Sequence, residues 1–131
     1  YLGMKDYQQI TLIKYHIKKN NINTKIKICS TIREKNGVAL SSRNIKLNGN
    51  QMKIAAKICK YLKINKKKIL LKILNQKKKE ILSAIKKFGI KKIDYLECLN
   101  LKTLKTPKNI NTKFNLFIAY YIGKIRLIDN L

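Results

Sequence analysis

The chain is poor in the residues that most protein chemistry is built from. It has one His, one Pro, five Gly and no Trp, and its Asp and Glu together number six. The lone histidine, His16, falls in the middle of a helical pattern and away from any polar motif, so it is read as structural or surface. Cys29, Cys59 and Cys98 are odd in number and far apart, with no C-x-x-C pair and no Cys/His cluster. Neither a zinc site nor a disulfide framework is indicated. All three lie among apolar residues and are read as buried free thiols. No apolar run approaches the length of a membrane span, and Phe114 to Ile122 suits a core strand. No secretory n-region and h-region pattern is present, which points to the cytoplasm.

Positive charge is abundant: 31 Lys and Arg against six acids, a formal net charge of +25. Two explanations compete. One is binding to nucleic acid or an anionic membrane. The other is coding drift towards A/T, because 28 Lys, 22 Ile and 14 Asn dominate a chain with only three Arg. Drift is favoured, since a selected nucleic-acid binder would use more Arg and group its charge. The few arginines, Arg33, Arg43 and Arg126, stand inside the polar motifs while lysine is everywhere.

Apolar residues at Tyr7, Ile10, Ile13 and Ile17 predict a helix from Asp6 to about Lys19, with Asp6 a candidate N-cap. A short strand, Thr24 to Cys29, follows, then a domain boundary near Ser30 to Lys35. Asn48-Gly49-Asn50 opens a helix to about Leu62. A second helical region runs from about Lys66 to Phe88, interrupted or kinked near Gln76 to Lys79 and stopped by Gly89. Lys92 to Cys98, Leu116 to Ile122 and Ile125 to Asn130 read as strands, the last two joined by a tight Gly123-Lys124 turn. Pro107 falls in a loop, where a missing N–H is harmless.

Two polar clusters carry the chemistry. Ser41-Ser42-Arg43 follows a turn-forming Asn36-Gly37 and supplies two hydroxyl donors and a guanidinium fork, a set suited to phosphate. Gly3-Met4-Lys5-Asp6, with Gln8-Gln9 behind it, offers a cation for phosphate and a carboxylate for sugar hydroxyls. Together they point to a nucleotide-using site. Alone, Ser-Ser-Arg-Asn could equally be a helix-capping turn.

The segments GMKDYQQ, TIREKNGVALSSRN, IDYLECLNLKTL and GKIRLIDNL occur in this order along all 131 residues. The chain thereby resembles the C-terminal half of the pantoate–β-alanine ligase (pantothenate synthetase) family. The resemblance implies an α/β fold, α+β within this stretch. Residues 1–30 would be the last helix and strand of a Rossmann-like ATP- and pantoate-binding domain. Residues 31–131 would be a small helical lid domain with a three-stranded antiparallel sheet, carrying the Ser-Ser-Arg-Asn phosphate loop. The opening on Tyr1, without Met and without room for a strand before Gly3, is read as a fragment or half of a split enzyme.

The implied activity is ATP-dependent joining of pantoate to β-alanine through pantoyl adenylate, with Mg²⁺ carried on the phosphates. The resemblance assigns ATP contacts to Gly3, Met4, Lys5, Asp6, Ile32, Leu40, Ser41, Ser42 and Arg43, and a pantoate contact to Gln9. Catalysis would fall to Lys5, Ser41, Ser42 and Arg43, and no residue is assigned to a metal. Gly3 would let backbone approach the nucleotide. Met4 departs from the family's usual acidic residue. Ile32 would meet adenine through its backbone, its side chain reading as core, while Gln8 would point away from Gln9's site. Arg126 and Asp129 read as stabilising, with partners among their neighbours. A complete enzyme would be a homodimer, binding neither nucleic acid nor membrane; a fragment alone would be inactive. The rivals are a basic RNA-binding protein of ribosomal type and an inactive remnant of the ligase.

Overall fold

The computed structural model describes residues 1–131. Leu2–Gly3 (β1) leads through a 3-10 turn, Met4–Asp6, into helix α1, Tyr7–Lys19. Ile28–Cys29 (β2) pairs in parallel with β1, Leu2 opposite Ile28 and Gly3 opposite Cys29. A second 3-10 turn, Ser42–Lys46, precedes helices α2, Gly49–Leu74, and α3, Lys78–Lys86. Strands β3 (Lys92–Leu99), β4 (Asn115–Ile122) and β5 (Ile125–Asn130) form an antiparallel meander. The fold is therefore α+β, with one short parallel pair and one three-stranded antiparallel sheet.

The continuous apolar run of β4 is explained by its place in the centre of that sheet. Leu116, Phe117, Ile118, Ala119, Tyr120 and Ile122 are all buried, so both faces need apolar side chains. Helix α2 covers the sheet with Ala55, Ile58, Leu62, Ile69 and Leu70, and α3 adds Ile81 and Ile85 to the same core. The Gly123-Lys124 turn closes β4 onto β5 with Gly123 at φ +58°, a conformation that glycine adopts without a Cβ penalty. No helix is long and apolar enough to cross a membrane.

The helices differ from the sequence expectation in one respect. Instead of ending near Leu62 and restarting at Lys66, α2 continues unbroken to Leu74. Its buried row steps from Leu62 to Ile69 and Leu70, and Lys66 fills the intervening position. The Lys66 ammonium lies 5.1 Å from the centre of the Phe114 ring, so the aliphatic stem serves the row while the charge reaches a ring face. A capping box starts the helix. Asn48 Oδ1 accepts from the Gln51 amide, and Gln51 Oε1 accepts from the Asn48 amide. The break comes at Asn75–Lys77, where Gln76 takes φ +59°; this overlaps the predicted interruption at Gln76 to Lys79 and begins one residue earlier. Gly89, at φ +100°, follows the end of α3.

Two smaller differences concern residues 24–29. Only Ile28–Cys29 forms a ladder, because β1 offers just two residues to pair with. Cys29 is exposed, whereas Cys59 and Cys98 are buried as expected. Burial pushes the Cys98 thiol up to about 12 and the Cys59 thiol up as well. A thiol reagent at pH 8 is therefore expected to modify Cys29 promptly and the other two only on unfolding, because the thiolate is the reactive form. Timed labelling read by intact mass checks this. Prompt double or triple labelling of the folded chain would contradict the packing described.

Candidate active site

The segment before the serines is a small hairpin. Arg33 and Ala39 form an antiparallel bridge, and the Leu40 amide donates to the Ile32 carbonyl at 2.9 Å. At its tip Asn36 Oδ1 accepts from the Val38 amide, and Gly37 sits at φ +88°, the left-handed region that favours glycine. The hairpin delivers Ser41 in an extended conformation, where its Oγ accepts from the Arg43 amide at 3.3 Å and starts the second 3-10 turn. Ser41 is thus a capping residue as well. Its oxygen is used as an acceptor, which leaves the O–H free to donate.

Buried Asn44 anchors the loop from behind. Its Nδ2 donates to Glu34 Oε1 at 2.7 Å and to the Ala39 carbonyl at 3.1 Å.

The other cluster approaches from residues 1–9. Asp6 occupies the N-cap position of α1, but its side chain makes no capping bond, so the carboxylate remains available on the surface. The Lys5 ammonium donates to the Leu40 carbonyl at 2.9 Å, linking the clusters across 35 residues. Arg43 Nη1 donates to the Arg126 carbonyl on β5 at 3.2 Å.

Lys5, Asp6, Ser41, Ser42 and Arg43 consequently line one pocket of about 220 Å³, with Asn44 and Asp129 on its wall and Cys59 and Tyr120 among its apolar lining. Burial, with Asp129 as a further cause, pushes the Tyr120 phenol up, so it stays neutral. A contiguous cleft of about 130 Å³ shares Lys5, Asp6, Ile128 and Asp129 and is lined further by Tyr7, Gln8, Gln9, Tyr95 and Phe117. Gln8 and Gln9 face the same cleft, so the expected division between them does not hold.

The remaining candidate residues lie outside the pocket. Leu40 contributes its carbonyl to Lys5 and leaves its side chain exposed. Ile32 is 71% exposed, not core, because it flanks the hairpin on the solvent side. Met4 presents its carbonyl to Asn130 Nδ2 at 2.6 Å, a backbone contact indifferent to the identity of the side chain. Gly3 has φ −75°, and a Cβ built there meets nothing within 4 Å. Nothing in the chain itself therefore demands glycine at that position. His16 is exposed and sits 3.2 Å from the Asn20 amide nitrogen, away from the pocket.

The residues that hold the pocket together are ones the sequence reading did not assign to it. Arg33 makes a two-pronged pair with Asp129, Nη1 to Oδ2 at 2.8 Å and Nη2 to Oδ1 at 3.0 Å. It also donates to the Gly37 and Asn130 carbonyls at 3.1 and 2.9 Å. The Asp129 hydrogen bond raises the Arg33 pKa against the opposing effect of burial. Arg126, by contrast, pairs with Asp94 at 2.7 Å on the adjoining sheet surface.

The family model for pantoate-beta-alanine ligase matches residues 1–131. The chain belongs to that family. A pantothenate synthetase of Endomicrobium trichonymphae is 43% identical over 132 residues, a match that takes in the whole chain and 46% of the relative. A solved pantoate-beta-alanine ligase from Francisella tularensis, complexed with beta-gamma ATP and beta-alanine, is 39% identical with a TM-score of 0.71, covering 100% of this chain and 42% of that one. A pantothenate synthetase structure from Thermus thermophilus is 27% identical with a TM-score of 0.79, covering 98% and 47%. The chain thus spans about half the length of the family members it matches.

The Arg33–Asp129 pair supplies the stability test of this arrangement. Asp129→Asn keeps the shape but removes the charge from a largely buried fork, and should cost about 2–3 kcal/mol in urea unfolding, the worth of hydrogen bonds to a charged partner. A change below about 0.5 kcal/mol, the scatter of inert surface substitutions, would mean the pair is not what joins β5 to the hairpin.

Proposed function

We propose that this chain is the C-terminal half of an ATP-dependent ligase that joins pantoate to β-alanine. The observation that carries this reading is the convergence of Lys5, Asp6, Ser41, Ser42 and Arg43 on one pocket from two separate stretches of chain. That set combines two cations, two hydroxyls and one free carboxylate, which suits a nucleoside triphosphate. Lys5 contacts the α-phosphate and Asp6 the ribose. Ser41, Ser42 and Arg43 bind the departing pyrophosphate.

The carbonyls of Leu40 and Arg126 that now accept from Lys5 and Arg43 are neutral. Phosphate oxygens are charged acceptors and bind roughly twice as strongly, so they displace these carbonyls. The backbone of Gly3, Met4, Ile32 and Leu40 borders the nucleotide, and Gln9 hydrogen-bonds pantoate in the contiguous cleft.

Pantoate's carboxylate attacks the α-phosphorus, breaking the α–β phosphoanhydride bond and releasing pyrophosphate. The amine of β-alanine then attacks the acyl carbon of pantoyl adenylate, giving pantothenate and AMP. Lys5 and Arg43 stabilise negative charge as it shifts onto the departing phosphates, and the pocket acts by positioning and preorganised charge.

No group of three or more His, Cys, Asp or Glu side chains is placed to hold a metal, and Asp129 is engaged by Arg33. This donor set fits a Mg²⁺ carried by the phosphates themselves, where it would neutralise their charge.

The two-residue parallel pair β1–β2 is too short to stand as a sheet and suits the edge of a larger Rossmann-like one. Residues 1–30 accordingly belong to the ATP- and pantoate-binding domain and residues 31–131 to the lid. Exposed Tyr1, Leu12 and Tyr15 suit packing against the remainder of that domain. The complete enzyme, a cytoplasmic homodimer, acts on small molecules, and this half alone is inactive.

Arg43→Ala in the complete ligase should lower kcat/KM for ATP roughly 10²- to 10³-fold, the effect of deleting one preorganised charge-stabilising donor. A pyrophosphate-release assay measures it, and an activity near that of the unsubstituted enzyme would overturn the assignment.

A further inference from the structure

We infer that Asn130, the last residue of β5, is the positioning residue for Lys5, and that it acts on catalysis only through Lys5. This rests on the phosphate role proposed for Lys5.

The turn that carries Lys5, Met4–Asp6, has no side-chain cap at its N-terminal end. Its backbone is instead held from the far end of the chain. Asn130 is 4% exposed; its Nδ2 donates to the Met4 carbonyl at 2.6 Å and to the Lys5 carbonyl at 3.2 Å. A side-chain amide has two N–H donors, so one group serves both carbonyls of the turn.

Asn130 is itself fixed on two sides. It pairs with Phe117 in the β4–β5 ladder, and its carbonyl accepts from Arg33 Nη2. The same guanidinium holds Gly37 at the tip of the phosphate hairpin. Lys5 and the Ser41–Arg43 loop are therefore referenced to one rigid point, although neither touches Asn130 with a side chain. The Lys5 stem leaves a backbone clamped at Asn130 and ends on the Leu40 carbonyl, which sets where its ammonium can reach.

A residue that merely filled hydrogen-bonding capacity would affect stability alone. One that aims Lys5 has a further consequence. Small displacements of a charged group from its working geometry cost on the order of 10²-fold in rate, and that cost disappears once the group itself is gone.

The test is a double-substitution cycle in the complete ligase, with pyrophosphate release measured well below the unfolding midpoint of every variant. Asn130→Ala should lower kcat/KM for ATP by about 10- to 100-fold and leave KM for β-alanine within about 2-fold, since that amine enters after pyrophosphate has left. Asn130→Asp, which keeps the volume but as a carboxylate has no donor, should fall in the same range; it serves if the alanine variant does not fold.

In a Lys5→Ala background, removing Asn130 as well should cost no more than about a further 3-fold, the non-additivity of groups that act as a unit. Losses that multiply across the two sites, or an Asn130→Ala enzyme within about 2-fold of the parent, would overturn the positioning role while leaving Lys5 as a phosphate ligand. A Lys5→Ala enzyme with near-parental activity would instead remove the phosphate role, and the positioning role with it.

Discussion

One guanidinium joins the parts of this fold that have to meet. Arg33 reaches the Asp129 carboxylate with both terminal nitrogens, the Gly37 carbonyl at the hairpin tip and the Asn130 carbonyl at the end of β5. Asn130 in turn holds the Met4–Lys5 backbone. A planar fork with five donors can serve several acceptors in fixed directions, which an ammonium on a flexible stem cannot. The same logic extends to the other arginines. Arg43 caps the Arg126 carbonyl, and Arg126 pairs with Asp94, whose carboxyl it holds below the usual carboxylate range. In a chain with 28 Lys, all three Arg stand where direction matters.

The elements most legible in the sequence were those whose pattern lysine could not disturb. The apolar run of β4, the Gly123-Lys124 turn and the Tyr7, Ile10, Ile13, Ile17 face of α1 each matched a structural element. Where lysine entered a buried row the reading failed. Lys66 occupies a half-buried step of α2 with its ammonium over the Phe114 ring. The sequence pattern shows no apolar residue at that step and places a break between Leu62 and Lys66, where the helix is continuous. Thr24–Lys27 keeps an alternating pattern, but β1 reaches only as far back as the Lys27 carbonyl, and alternation without a partner makes no ladder. Ile32 reads as core by its residue type and Cys29 as a buried thiol by its apolar neighbours in sequence; each is exposed.

The pocket was legible in its pieces and not in its assembly. Both clusters could be recognised as suited to phosphate from local chemistry. Their convergence depends on contacts between residues 35, 96 and 125 positions apart, and no periodicity reports such distances. Arg33, Asp129 and Asn130 carried one usable signal, their place within family-like motifs, but which of them pair is a property of the β4–β5 register and of the hairpin it supports. The net charge of +25 has few internal partners, with ion pairs such as Lys72–Glu80 and Lys78–Glu97 lying at the surface, where each contributes little. The cations that matter to the pocket are fixed by backbone carbonyls and β5, not by the surrounding excess of lysine.

We propose above all that Lys5 and Arg43, which line one pocket, grip the same nucleotide. A crystal structure of the complete protein with a non-hydrolysable ATP analogue tests it most directly. The account predicts phosphate oxygens at hydrogen-bonding distance, about 3 Å, from both the Lys5 ammonium and the Arg43 guanidinium, with the Leu40 and Arg126 carbonyls released. Triphosphate bound elsewhere, or bound with both carbonyl contacts intact, would contradict it.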